Sequence, residues 1–118
     1  MEFAELPEFS RELKSLKKKY KSLEGDLETQ RDVLQTRPEG TGGKHWICLH
    51  QNDEFSIWKT RLACKTLKGD KMRVIYAFIF SSARIEYVEI YFKGDKPNED
   101  RERVAAYIKE TKKRLGLD

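Results

Sequence analysis

Two runs rich in β-branched and aromatic residues, MRVIYAFIF at 72–80 and IEYVEIYFK at 85–93, are separated by only the four residues 81–84. So short a link leaves no room for a crossover helix, so the runs are expected to pair as an antiparallel hairpin. A third segment of the same character precedes them. It covers residues 45–49 and, after a turn at 51–54, residues 55–64, and it reaches the hairpin through a turn at Lys68, Gly69 and Asp70. An antiparallel sheet is therefore the centre of whatever this chain becomes.

The sheet is flanked by helices. Leu6, Phe9, Leu13, Leu16 and Tyr20 recur at alternating spacings of three and four, which lines one stripe of a helix, and Pro7 suits its first turn. Ser22 is a candidate N-cap for a second helix, with Glu24 and Asp26 in its first turn and Leu23, Leu27 and Leu34 on its apolar side. Pro38 and Gly40 close it. The short link makes the two an antiparallel helical hairpin, and the few residues before Pro7 could add a short edge strand. Glu99, Asp100 and Glu102 open a last helix with Val104, Ile108, Thr111 and Leu115 on its apolar face and Tyr107 beside them, ending on Lys112, Lys113 and Arg114. The expected fold class is α+β: an N-terminal helical hairpin packed on a small twisted antiparallel sheet, with a C-terminal helix.

At 118 residues the chain is expected to form one domain over 1–118. No stretch approaches the roughly 18 apolar residues of a membrane span, and the acidic start MEFAELPEFS is unlike a secretory signal, so a cytoplasmic protein without membrane partners is expected. Cys48 and Cys64 each lie among strand-like apolar residues and are expected to be small buried hydrophobes. There is no paired CxxC, and only His45 and His50 could assist, so no metal site is expected. GTGGK at 40–44 lacks the spacing of a phosphate loop and reads as a glycine-rich turn.

Charge is unevenly placed. Residues 44–96 carry 10 basic and 6 acidic side chains, whereas 1–43 carry 8 and 9, and 97–118 carry 6 and 5. The basic excess falls on the sheet, a mild pointer to a polyanionic partner. Alternation along strands sharpens it. Lys59 and Arg61 share a face. Arg73 shares one with Ile75, Ala77 and Ile79, opposite Val74, Tyr76, Phe78 and Phe80. Glu89, Tyr91 and Lys93 share one, opposite Val88, Ile90 and Phe92. With the bulky set against the helical hairpin, Lys59, Arg61, Arg73, Tyr91 and Lys93 gather on an outer surface. Arginine grips phosphate oxygens bidentately, lysine supplies point charge, and an aromatic ring can stack on a base. The plainer reading is a solvated polar face of a half-buried sheet.

The segments FSIWKTRLACKTLKGDKMRVIYAFIF and IEYVEIYFKGDKPNEDRERVAAYIKE resemble the sheet and C-terminal region of RelE-type toxins of the RelE/ParE superfamily, and LPEFSRELKSLKKKYKSLEGDLE resembles their helical hairpin. The resemblance implies a small antiparallel sheet packed on two N-terminal helices. It also implies a type II toxin that cuts messenger RNA in the ribosomal decoding site, by attack of a 2′-hydroxyl on the adjacent phosphate, with no cofactor or metal. Carried over, Lys59 and Arg61 match the paired basic positions before the hairpin, and Arg73 the arginine on the scissile phosphate. Lys93 or Lys96 matches the basic position after the last strand. Lys71, Tyr91 and Lys96 are the further candidates for binding RNA. The implied partners are a cognate antitoxin, in an assembly such as a heterotetramer, and the ribosome with its mRNA.

Three departures matter. The hairpin between Arg61 and Arg73 is longer than in the type member. Tyr91 lies on a strand and Tyr107 in the last helix, so the C-terminal tyrosine of some members has no clear counterpart. No histidine is expected near the cluster, which leaves the general base unassigned. Two other functions fit the resemblance: a ParE-like inhibitor of DNA gyrase that does no chemistry, and a protein that has kept only antitoxin binding. The cation cluster suits RNA and is not required for gyrase binding.

Overall fold

The computed structural model describes residues 1–69 and 71–117 of the chain, so Asp70 of the expected 68–70 turn lies outside the described residues. Five strands form one sheet: β1 (Glu2–Glu5), β2 (Trp46–Gln51), β3 (Phe55–Leu62), β4 (Met72–Ile79) and β5 (Arg84–Phe92), in the spatial order β1-β5-β4-β3-β2. Helices α1 (Pro7–Lys17) and α2 (Leu23–Thr36) precede the hairpins, α3 (Arg101–Arg114) follows them, and one 3-10 turn (Gly43–His45) leads into β2. The α+β class is as expected. None of the described helices is long and apolar enough to cross a membrane.

The expected all-antiparallel sheet is corrected at one edge. The short N-terminal strand pairs with β5 in parallel, from Glu2 opposite Arg84 to Glu5 opposite Tyr87. Leu6 extends that ladder by donating its N–H to the Tyr87 carbonyl at 3.0 Å. Pro7 then has no N–H to continue it and holds Leu6 extended (φ −68°, ψ 152°), so strand passes to helix without a loop. The first expected strand resolves into β2 and β3, paired antiparallel around a tight turn in which the Asn52 side-chain oxygen accepts the N–H groups of Glu54 (2.8 Å) and Phe55 (2.9 Å).

One face of the sheet carries the helical hairpin, as expected. Phe9, Leu13, Leu23, Leu27 and Leu34 pack on Leu62, Met72, Val74, Tyr76, Ile85, Tyr87 and Ile90. Tyr20 falls beyond the end of α1 and covers Phe92 at a ring separation of 5.8 Å. Ser22 does not cap α2. Its hydroxyl donates to Asp26 at 2.6 Å and accepts the Thr66 N–H at 3.0 Å, while Asp26 accepts the Lys65 N–H at 3.2 Å. The loop after β3 is thereby tied to the helix. Cys64 is buried, but Cys48 is exposed, because β2 is an edge strand.

The other face is not open along its length. Val104 and Tyr107 of α3 pack on Phe55, Ile57, Ile75, Ala77, Ile79 and Val88, with Leu6, Leu49, Ile108 and Leu115 at the margin. Val88 was expected on the opposite face with Ile90 and Phe92. A bulge moves it: Ile75 pairs with Glu89 and Tyr76 with Tyr87, so Val88 has no partner on β4 and the alternation shifts by one. The backbone groups at the bulge are taken up by side chains. Arg103 donates to the Val88 carbonyl at 3.1 Å, and Glu12 accepts the Ile90 N–H at 3.3 Å. Arg103 also grips Glu12 with two bonds of 2.9 and 2.8 Å. Asp100 caps α3 by accepting the Arg103 N–H at 3.1 Å.

Beneath the last turns of α3, the buried Glu86 carboxylate receives the Tyr107 hydroxyl, Arg114 (2.8 and 3.1 Å) and Arg84 (2.8 Å). Burial alone would raise the pKa of this group, but the bonds from Arg114, Tyr107 and Arg84 outweigh it and hold the carboxyl at about 2, against an ordinary 4.5. A carboxylate depressed in the folded state stabilises it fully above the ordinary value and loses that contribution as pH falls toward 2. Allowing for screening of the half-exposed Arg114, the contribution is about 2 kcal/mol. Acid titration of thermal stability between pH 6 and 2 is expected to be flatter in Glu86→Gln than in the native chain, with the variant already less stable at pH 7. Parallel curves would remove Glu86 as the titrating group.

Candidate functional site

Because α3 covers only part of its face, the sheet beyond Ile75 is left to the charged residues of β3 and β4 and the end of β5. Arg61 lies directly opposite Arg73, and Arg73 opposite Tyr91, so the three form one row across the strands. The adjacent row is Lys59, Ile75 and Glu89.

These residues surround a cleft of about 150 Å³. Lys59, Arg61, Arg73 and Lys93 line it, Lys44 and His45 form one rim, and Pro97 and Asn98 form another. A second hollow continues it past Arg61, Arg73 and Lys93 to Lys71 and Gly94. Arg73 is the deepest cation, 7% exposed, with one guanidinium nitrogen donating to the Met72 carbonyl at 3.2 Å. Arg61 is half-buried, and Lys44, His45, Lys71 and Lys93 are exposed. The cleft thus has a guanidinium floor and an ammonium rim, an arrangement suited to phosphate oxygens. Among the described residues no group of three or more histidines, cysteines or acids is placed to hold a metal.

Of the residues expected here from sequence, Lys59, Arg61, Arg73, Lys93 and Lys71 come together. Tyr91 and Lys96 do not line either hollow. Tyr91 is 4% exposed, with the Lys96 ammonium 5.2 Å above its ring centre, so its ring offers no free surface for a base. Burial raises its hydroxyl pKa, and the Lys59 charge opposes this only in part. Lys96 forms an ion pair with the fully buried Glu89, whose other oxygen accepts the Asp100 N–H at 2.9 Å. Lys59 is paired too, with Glu99 at 2.9 Å. Burial by itself would lower the Lys59 pKa, but the bond to Glu99 and the charges of Tyr91 and Glu99 more than offset it. Glu99 answers in kind: burial would raise it, and Lys59 holds it low. Acids on β5 and just before α3 therefore engage two of the lysines.

The absence of a histidine from the cluster is also corrected. His45 reaches the rim because the segment before β2 is clamped. The Trp46 indole N–H donates to the Tyr76 hydroxyl at 3.0 Å, and that hydroxyl donates to the Pro38 carbonyl at 2.9 Å. Gly40, at φ +80°, lets the indole lie against the backbone, since a Cβ there would fall 2.1 Å from the indole nitrogen. His45 closes the 3-10 turn that leads into β2, two residues before Ile47, which pairs with Lys59. Its place beside the strand was readable from the chain; the pairing of β2 with β3 in this register was not.

The arrangement is that of a small helix-backed sheet with a cation-lined cleft on its half-covered face. No family model matches the sequence, and no curated protein matches it. Among solved structures, a chain of the archaeal RelE–RelB complex from Pyrococcus horikoshii OT3 is similar, with a TM-score of 0.60 and 19% identity over 79% of this chain and 94% of that one. The two share a fold.

The Lys59–Glu99 pair can be tested directly. In Glu99→Gln, with burial no longer offset by the carboxylate, the Lys59 pKa is expected to fall, as followed by NMR of the 13C-methylated ammonium. An unchanged titration would mean that Glu99 does not hold Lys59.

Proposed function

We propose that this protein is the toxin of a RelE-like toxin–antitoxin pair and that its cleft cleaves messenger RNA on the ribosome. Three things support the reading: the fold shared with a chain of a RelE–RelB complex, the sequence resemblance to RelE-type toxins, and a cation-lined cleft. The observation that carries it is the pair of arginines, Arg61 and Arg73, facing each other across neighbouring strands with Lys93 and Lys44 around them.

In this reading Arg73 and Arg61 hold the non-bridging oxygens of the scissile phosphate. Attack of the 2′-hydroxyl makes that phosphate pentavalent and adds negative charge, which guanidiniums already fixed in place stabilise without reorganising. Each such group is worth about 2–4 kcal/mol. Lys93 and Lys71 follow the neighbouring phosphates along the continuing hollow. Lys59 adds its charge from beneath, kept protonated by Glu99. The protein would work among ribosomes in the cytoplasm. The antitoxin would neutralise it with a segment that covers the cleft and presents acids to the cations.

The test is induced expression followed by mapping of mRNA ends, with cleavage measured on purified ribosomes programmed with a defined message. The native chain is expected to arrest growth and cut the message. Arg73→Gln and Arg61→Gln are each expected to lower the cleavage rate about 100-fold or more, measured on variants whose circular dichroism matches that of the native chain. Growth arrest with intact mRNA and altered supercoiling would instead identify a gyrase inhibitor. Co-purification with the product of an adjacent reading frame tests the antitoxin.

A further inference from the structure

We infer that His45 is the catalytic base of the cleft, taking the proton from the attacking 2′-hydroxyl; the inference rests on the proposed RNA cleavage. The reaction needs proton transfers that the strands do not supply. A proton must leave O2′ as its bond to phosphorus forms, and a proton must reach O5′ as the P–O5′ bond breaks. Arginine does not give up its proton in a protein, so Arg61 and Arg73 can only stabilise charge. Lys59 is kept protonated by Glu99 and Tyr91, and Glu99 is held to Lys59 as a weakened base. Tyr91 is buried, with its hydroxyl pKa raised. Thr60, Ile47, Pro97 and Asn98 do not titrate. Among the described residues that line the cleft, His45 carries the one imidazole, the side chain most often used as a general base.

The turn before β2 sets its position. Trp46 pairs with Thr60 and Ile47 with Lys59, and His45 is the last residue of the 3-10 turn just before that ladder, so it lines the cleft at the end of β2 nearest Arg61. Arg61 faces Arg73, and Lys93 comes two residues beyond Arg73's partner Tyr91 on β5. The imidazole thus enters from the β2 flank of the arginine row and the Lys93 ammonium from the β5 flank. A phosphate held between them has a base on one side and a proton donor on the other, as in-line displacement requires. The charges facing the imidazole are Lys44 beside it, Lys59 and Arg61 on β3, Arg73 on β4 and Lys93 after β5. Trp46, locked to Tyr76 and through it to Pro38, is the positioning residue that keeps the histidine at the rim.

In the step itself, the His45 imidazole takes the O2′ proton while O2′ bonds to phosphorus, and the P–O5′ bond breaks. The departing O5′ takes a proton from Lys93. The products are a 2′,3′-cyclic phosphate and a 5′-hydroxyl, and exchange with solvent returns both side chains to their starting states. No water, oxidant or metal is consumed.

The experiment is single-turnover cleavage on programmed ribosomes as a function of pH and toxin concentration, for the native chain, His45→Gln and His45→Ala. His45 is exposed, so the variants are expected to melt with the native protein. His45→Gln is expected to lose about 100-fold or more in maximal rate with its half-saturating concentration unchanged, and to lose the acid limb of the pH–rate profile. Free imidazole is expected to restore part of the rate to His45→Ala in a saturable way. A native rate and acid limb in His45→Gln would overturn the assignment while leaving the proposed cleavage intact. So would a loss that lies wholly in binding and does not respond to imidazole. A native chain that fails to cleave would overturn both.

Discussion

The guanidinium of Arg103 joins the parts of this structure that have least reason to stay together. It grips Glu12 of α1 with two bonds and donates to the Val88 carbonyl at the bulge in β5, all from the first turn of α3. A bulge leaves backbone groups without strand partners, and a buried group left unsatisfied costs about 1–3 kcal/mol. Here a helix on each face of the sheet supplies those partners, so the irregularity in β5 becomes the point at which both layers are fixed. A half-buried ion pair of this geometry adds little by itself, but removing one member strands the other.

That fixed point sets the extent of the cleft. With its start held by Arg103, by Asp100 on Glu89 and by Glu99 on Lys59, α3 covers the Ile57–Ile79 end of the sheet and no more. The far end keeps its cations. Two of the lysines that charge counting would place in the open, Lys59 and Lys96, are instead neutralised by the acids Glu99 and Glu89. The cleft is thereby narrowed to a guanidinium pair flanked by His45, Lys44, Lys71 and Lys93.

Much of this was legible along the chain. The hairpin of β4 and β5, the stripe of α1, the capped start of α3 and the shared face of Lys59 and Arg61 are properties of spacing. Spacing is local: period two places side chains on faces and period 3.6 on stripes whatever the rest of the chain does. The four site residues Lys59, Arg61, Arg73 and Lys93 were found this way. Tyr91 was placed on the right face too, but whether a face is wet depends on what lies above it. Lys96 and Glu89 decided that.

By itself, then, the order of residues determined which side chains alternate toward which face and where helices start and stop. Only the tertiary structure decided that β1 runs parallel, that Val88 turns over at a bulge, that α3 stops short of the arginines and that His45 swings to their rim. Each of those depends on a register between segments distant in sequence. Register is chosen by the sum of cross-strand and interlayer packing, which no single stretch of the chain contains.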